Sequence, residues 1–166
     1  HTMLMLSKLE NPTPTLALGV LLHDVGKPPT FRVADRIPFD GHAELGAQLA
    51  QGIPERLRFS SQEVEQVKSL VANHMKFKDV PRMRESTLKR FLRMDCFEEH
   101  LELHRIDCLS SHGSLDAYNL AAKKLREVPA HELRPVRLIT GSDLIAQGYQ
   151  PGPIFSKILQ AVEDAQ

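Results

Sequence analysis

Four histidines and two aspartates are the residues of this 166-residue sequence whose types and spacing could support shared chemistry. They are His1, His23, Asp24, His42, His74 and Asp107. His1 precedes Leu4 and Met5 at offsets that a helix places on one face. The pair His23–Asp24 directly follows the apolar run 16–22. The spacing therefore predicts six ionisable side chains that point inward from five helices.

Each of these side chains has an ordinary alternative role. A histidine on an apolar face commonly bonds a backbone carbonyl, and an inward aspartate commonly caps a helix or pairs with an arginine. A buried carboxylate nevertheless costs several kcal/mol unless it is compensated. Imidazole and carboxylate groups that meet around an ion satisfy one another, and together they suit a divalent metal such as Ni, Mn, Fe, Co, Mg or Zn. The residues therefore favour a metal site.

Two other arrangements fit metal binding less well. His100 and His104 are spaced as in the zinc-protease helix, but Glu102 stands midway between them instead of directly after the first histidine. We therefore expect both histidines to have supporting or structural roles. Cys96 and Cys108 have no partner at ligand spacing, which excludes a zinc finger.

The elements that position these residues are predicted to be helices, because helical periodicity dominates the chain and no stretch shows the sustained alternation of a strand. Helices are expected at about residues 1–9, 14–25, 42–51, 61–75, 86–94, 97–112 and 115–127, with two short ones at 142–147 and 153–165. Ser60 and Glu63 have the spacing of a capping box. Residues 134–137 resemble an extended connector. We expect an all-α bundle over residues 1–128 and a short C-terminal helical tail over 129–166.

The composition limits the class of protein and its partners. Lys+Arg and Asp+Glu balance at 21 each, so overall charge predicts no partner, and 42% hydrophobic residues argue against disorder. No apolar run approaches the roughly 20 residues that span a bilayer, and residues 3–9 lack the features of a signal peptide. We therefore expect no membrane partner and a cytoplasmic protein. The one marked local excess of positive charge follows His74 and comprises Lys76, Lys78, Arg82, Arg84, Lys89, Arg90 and Arg93.

In chain order the six candidate residues spell H…HD…H…H…D, and the adjacent pair opens the segment His23-Asp24-Val25-Gly26-Lys27. This ordered set resembles the HD superfamily of metal-dependent phosphohydrolases, which are all-helical. The resemblance implies one ion held by His1, His23 and Asp107, a second served by His42 and His74, and Asp24 as a bridge between them. It also implies that Lys27 holds a phosphate oxygen, which makes Asp24 and Lys27 the candidate catalytic residues.

A narrower resemblance covers nearly the whole chain. Segments 39–47, 81–92, 103–113 and 138–145 look like parts of the HD region of bacterial poly(A) polymerase/CCA-adding tRNA nucleotidyltransferase proteins. In that family the nucleotidyltransferase site lies in an N-terminal domain that this sequence does not contain. We interpret the helical pattern that starts at His1 as the cut end of a longer protein, with a free-standing relative as the alternative.

The family implies a phosphomonoesterase or 2′,3′-cyclic phosphodiesterase that acts on nucleotides or RNA 3′ ends with one or two divalent ions. The candidate RNA- or phosphate-binding residues are Lys27, Lys76, Arg82, Arg84, Lys89 and Arg90. The alternative is a catalytically idle HD module that binds tRNA-like RNA for an N-terminal nucleotidyltransferase domain, and a third interpretation is a purely structural helical domain. Metal-dependent hydrolysis would favour the enzyme, whereas salt-sensitive RNA binding would favour the module.

Overall fold

All regular secondary structure that the computed structural model describes is helical, over residues 1–33, 39–133 and 138–164. The α-helices are α1 (Thr2–Leu6), α2 (Pro14–Leu22), α3 (Lys27–Thr30), α4 (His42–Arg56), α5 (Ser61–Asn73), α6 (Glu85–Leu92), α7 (Phe97–Ser110), α8 (Asp116–Glu127), α9 (Ala130–Leu133), α10 (Gly141–Ala146) and α11 (Pro153–Asp164). A 3₁₀ helix, His74–Arg82, follows α5 directly. The all-α prediction is confirmed.

Helix α5 lies at the centre of the packing that positions the candidate site. Its Leu70 is fully buried with Val20 of α2 and Ile106 of α7. Its Val67 and Val71 pack in a second cluster against residues of α2 and α4. Burial of these aliphatic side chains, at about 1.5–3 kcal/mol each, fixes α2, α4 and α7 around α5.

The 3₁₀ helix is the clearest departure from the expected elements. The sequence periodicity predicted one helix over 61–75, but α5 ends at Asn73 and the chain tightens to three residues per turn. His74, Phe77 and Val80 are buried at this spacing of three, while Lys76 and Lys78 remain exposed. Phe77 packs with Phe91 and Phe97 in a third hydrophobic cluster. This packing holds the start of the 3₁₀ helix in place.

Most remaining helix boundaries differ from the prediction by a few residues. Helix α1 stops at Leu6, three residues early, and α2 stops at Leu22, which leaves His23 as its C-cap. Helix α4 continues to Arg56 past the buried Pro54, because burial of the proline ring offsets the one backbone hydrogen bond that proline cannot make. The short helix α3 was not expected.

Local capping agrees with the sequence where the motif was present. The Ser60 hydroxyl accepts a hydrogen bond from the Glu63 backbone N–H, and the Glu63 carboxylate accepts one from the Ser60 N–H, which confirms the capping box of α5. The connector at 134–137 lies outside the described residues, and the domain boundary at 128/129 stays a prediction. None of the described helices is both long and apolar enough to cross a bilayer.

Candidate metal centre

The six predicted residues lie together in two adjacent groups. His1, His23 and Asp107 form one group, and Asp24, His42 and His74 form the other. Within each group the candidate ligand atoms all lie within 4.8 Å of one another. Each group draws on three different parts of the fold, so the helical packing around α5 brings them together. We call the first the outer group and the second the inner group.

Backbone carbonyls fix the orientation of the three buried histidines. The Nδ1–H of His23 donates to the carbonyl of Val20 at 2.8 Å, and that of His74 donates to Val71 at 2.7 Å. His42 Nδ1–H donates in the same way, to Phe39 at 2.8 Å. Because Nδ1 carries the proton in each neutral ring, Nε2 carries a lone pair. All three rings therefore present a metal-binding nitrogen to the centre.

The Nε2 atoms lack suitable partners within the described protein. His42 Nε2 and His74 Nε2 face each other at 3.2 Å, although each ring already donates its Nδ1–H to a carbonyl. His23 Nε2 is buried without a well-formed hydrogen bond among the described residues, and Asp24 Oδ2 lies 3.2 Å away. Two facing lone pairs repel, and a buried unsatisfied nitrogen is costly. A divalent cation resolves both conditions, so these residues fit a metal.

Asp24 lies between the two groups. Its Oδ2 lies 3.2 Å from His23 Nε2, and its Oδ1 lies 3.7 Å from His42 Nε2 and 3.8 Å from His74 Nε2. Burial alone would raise the pKa of this carboxyl, but His23 and the Lys27 ammonium outweigh it and hold the pKa well below its usual range. Asp24 is therefore an anion with one oxygen facing each group, which is the geometry of a bridging ligand.

The outer group is open to solvent on one side. His1 Nε2 lies 2.9 Å from Asp107 Oδ1, and the two side chains are 32% and 25% exposed. The prediction that all six side chains point inward is therefore wrong for His1, which is exposed and precedes the five-residue helix α1. A ligand can approach the centre only from an open side, so this exposure leaves the outer group accessible.

The protonation states of the buried histidines differ. Burial, the largest effect, lowers the pKa of His74 to about 4, so its Nε2 keeps a free lone pair at neutral pH. Burial would also lower the pKa of His23, but the contact with Asp24 and its negative charge outweigh burial and raise it. A metal that binds His23 therefore competes with a proton for its Nε2.

Gly26 is a sterically constrained position beside the candidate site that was not predicted from the sequence. A Cβ atom built on Gly26 would lie 2.0 Å from the carbonyl oxygen of His42 and 2.8 Å from the backbone nitrogen of Gly46. The turn after His23–Asp24 therefore touches the backbone of α4, and only glycine permits this approach. The signal in the sequence was the glycine that directly follows the HD pair and Val25.

Lys27 is the one predicted phosphate-binding residue that contacts a candidate ligand among the described residues. Its ammonium lies 2.7 Å from Asp24 Oδ2. Lys76, Arg82 and Arg84 are exposed on the 3₁₀ helix and the turn after it. Lys89 pairs with Glu85 at 3.1 Å and with Glu132 at 3.0 Å. Arg90 is partly buried on α6.

His100 and His104 lie outside both groups. His100 Nε2 contacts the Ser69 hydroxyl at 3.3 Å, and His104 stacks on Phe77 with ring centroids 4.3 Å apart and planes 7° apart. Burial lowers the pKa of each histidine to about 4. Both side chains pack as neutral core residues.

A family model described as the HD domain matches residues 2–109 of the chain. The chain therefore belongs to the HD domain family. No solved structure matches the chain.

Two curated relatives are similar to the chain. It is 35% identical over 155 residues to the CC-adding tRNA nucleotidyltransferase of Thermus thermophilus, an alignment that covers 90% of this chain and 35% of that protein. It is 33% identical over 167 residues to the A-adding tRNA nucleotidyltransferase of Deinococcus radiodurans, over 91% of this chain and 37% of the relative. The chain thus spans little more than a third of the length of either relative.

Proposed function

We propose that this protein is a divalent-metal phosphohydrolase of the phosphomonoesterase or 2′,3′-cyclic phosphodiesterase type, which acts on nucleotides or RNA 3′ ends. The observation that carries the proposal is the pair of ligand groups joined at His23–Asp24, with one Asp24 oxygen facing each group. An idle pocket has no need of two carboxylates beside three buried imidazoles whose Nε2 atoms face one another or Asp24. The expected ions are one or two of Ni, Mn, Fe, Co, Mg or Zn.

The protein residues divide the work between ligand placement and substrate placement. His1, His23 and Asp107 would hold one ion, while His42, His74 and Asp24 would hold the other. Divalent ions held there would supply Lewis-acid chemistry, because they would lower the pKa of a water molecule and stabilise negative charge on phosphate oxygens. Lys27 lies beside Asp24 and would donate to a phosphate oxygen as a point charge. The hydrogen bonds from Nδ1 to backbone carbonyls hold His23, His42 and His74 with Nε2 toward the centre.

Removal and return of the metal test this proposal. Dialysis against a chelator is expected to abolish hydrolysis of 2′,3′-cyclic AMP and 3′-AMP, and Mn or Ni should restore it. Asp24→Asn removes the charge that faces both groups and is expected to lower the rate of hydrolysis by at least about 10²-fold. Loss of a residue that only hydrogen-bonds to a metal ligand already costs about 10–100-fold. The exposed His112→Ala is the matched control. Hydrolysis that survives both the chelator and Asp24→Asn would refute the proposal.

A second candidate function, an RNA-binding HD module, is supported by the surface of the 3₁₀ helix. Lys76, Lys78 and Arg82 are exposed there, Arg84 follows, and Asp79 is the one acid among them. These basic side chains form a ridge along the 3₁₀ helix, which begins at His74. An RNA phosphate backbone bound along this ridge would lead away from the metal centre. Both relatives are named as tRNA nucleotidyltransferases, which makes tRNA-like RNA the natural ligand and an N-terminal nucleotidyltransferase domain the natural partner in a longer protein.

Salt-dependent binding of tRNA tests this second candidate. The triple variant Lys76→Ala/Arg82→Ala/Arg84→Ala is expected to weaken binding and to reduce the slope of log K against log salt by about 2–3. A triple variant of the exposed Arg56, Arg58 and Arg126 is the charge-matched control. Equal binding by the two triple variants would remove the support for an RNA-binding ridge.

A further inference from the structure

Two phenylalanine rings lie beside the ammonium group that contacts the metal centre. Lys27 Nζ lies 5.6 Å from the ring centroid of Phe39, within the range of a cation–π contact. The same ammonium is 2.7 Å from Asp24 Oδ2. The ring of Phe31 lies 6.2 Å from that of Phe39, with the planes tilted by 48°. One lysine head group therefore links the candidate ligand Asp24 to an aromatic pair.

The aromatic pair is also tied to the inner group through the backbone. The carbonyl oxygen of Phe39 accepts the hydrogen bond from His42 Nδ1. Displacement of the Phe39 backbone would therefore turn the His42 ring, so the contact that orients this candidate ligand also holds Phe39 in place.

Phe31 gains little from packing within the described fold. The residue is 50% exposed, whereas Phe77, Phe91 and Phe97 are at most 5% exposed in their cluster. A half-exposed ring has an open face, and a single exposed apolar residue needs no special explanation. Phe31, however, pairs with Phe39, and the Lys27 ammonium joins Phe39 to the metal centre. Such an exposed aromatic pair can bind a nucleotide base, because bases stack on aromatic rings.

We propose that Phe31 and Phe39 form a stacking platform for the base of a nucleotide whose phosphate lies at the metal centre. The inference rests on the proposed phosphohydrolase function and names its substrate class as esters that carry a base. In a nucleotide a single ribose separates the base from the phosphate. In the protein Lys27 lies between the aromatic pair, which would contact the base, and Asp24, beside which the phosphate would lie. Stacking tolerates any base, so the platform selects for the presence of a base and not for its identity.

Equilibrium binding to the metal-loaded protein tests the platform without a catalytic readout. The probe is adenosine that carries a non-hydrolysable phosphonate in place of the 3′-phosphate, and the matched ligand is the 1-deoxyribose compound with the same phosphonate and no base. We expect Phe31→Ala to weaken binding of the adenosine probe by about 10-fold and to leave the base-free ligand unchanged. Phe31→Tyr should bind the probe as the unmodified protein does, whereas Phe31→Leu should bind as weakly as Phe31→Ala.

The exposed Leu57→Ala is the control for loss of an apolar surface side chain. The platform is refuted if the unmodified protein binds both ligands equally, if Phe31→Ala weakens both alike, or if Phe31→Leu restores binding. These outcomes are separate from failure of the proposed function. Probe binding that depends on Phe31, without hydrolysis of any ester, would refute only the hydrolase, whereas metal-dependent hydrolysis with no preference for a base would refute only the platform.

Discussion

Each buried imidazole of the metal centre is aimed by the carbonyl three residues before it. His23, His42 and His74 each stand at a helix end or in the turn beside it, where such a carbonyl is near the ring. The orientation of the rings is therefore a consequence of where the helices end. His23 is an example, because it lies at the C-cap of α2 and not within the helix.

The residue with the least tolerance for change is Gly26. We predict that Gly26→Ala destabilises the protein by several kcal/mol and lowers its metal content, because the new methyl group would collide with the His42 backbone at 2.0 Å. Gly52→Ala is the matched control. Gly52 lies in α4, the helix that Gly26 touches, and a Cβ atom on Gly52 would meet nothing within 4 Å. Alanine is favoured over glycine in a helix by about 0.5–1 kcal/mol, so this variant should not be destabilised. Urea unfolding and elemental analysis measure both. Equal stability of the two variants would contradict the close approach.

Helix α1 is the element least able to hold its own position. It has five residues, too few for a stable isolated helix, and Met5 is its fully buried side chain. Met5 packs in the cluster that contains Leu16 and Leu103, and this contact places His1 against Asp107. The outer group therefore depends on the docking of one methionine.

Truncation of that methionine is expected to separate the two groups. Met5→Ala should lower the free energy of unfolding by about 2–5 kcal/mol. It should also weaken binding of an ion by His1, His23 and Asp107, while the inner group keeps its ligands. Metal titration followed by absorption of Co²⁺ should then lose one of two binding steps. Met3→Ala on the same helix is the control, because Met3 is 75% exposed. Retention of both steps in Met5→Ala would show that α1 does not position the site.

At the scale of the whole molecule, the sequence predicted which residues meet but not how the chain brings them there. Helical periodicity placed His74 on the face of Val67 and Val71, and this face is buried as expected. The same periodicity missed the 3₁₀ helix, whose buried spacing of three depends on packing against α6 and α7. Tertiary packing overrides local periodicity in short segments.

Long-range pairing also limited the prediction of surface charge. Lys89 belongs to the basic segment in the sequence, yet Glu132, 43 residues away, neutralises it. The exposure of His1 and the closeness of Phe31 to Phe39 depend in the same way on contacts that no local pattern encodes. Charge runs and apolar stripes therefore identify candidates, and packing decides which of them reach the site.

The buried histidines make the stability of the metal-free protein depend on pH. His74, His100 and His104 have their pKa lowered to about 4 by burial, against a usual value near 6.5 in the unfolded chain. Below pH 6.5 the unfolded state therefore binds more protons than the folded state. The contribution of the three neutral histidines to the free energy of unfolding is complete above pH 6.5 and is lost as the pH falls toward 4. His23 acts in the opposite sense because its pKa is raised, so its contribution is present at low pH and is lost as the pH rises.

With three histidines against one, we predict that the chelated protein loses stability between pH 7 and pH 5, by about 2 kcal/mol for each histidine with a lowered pKa. His100→Gln removes one such group outside the metal centre and should reduce the loss by about 2 kcal/mol. Urea unfolding at pH 7, 6 and 5 measures the difference, with the exposed His112→Gln as the control. If His100→Gln lost as much stability on acidification as the unmodified protein, His100 would have to be protonated in the folded state, and its burial against Ser69 would not keep it neutral.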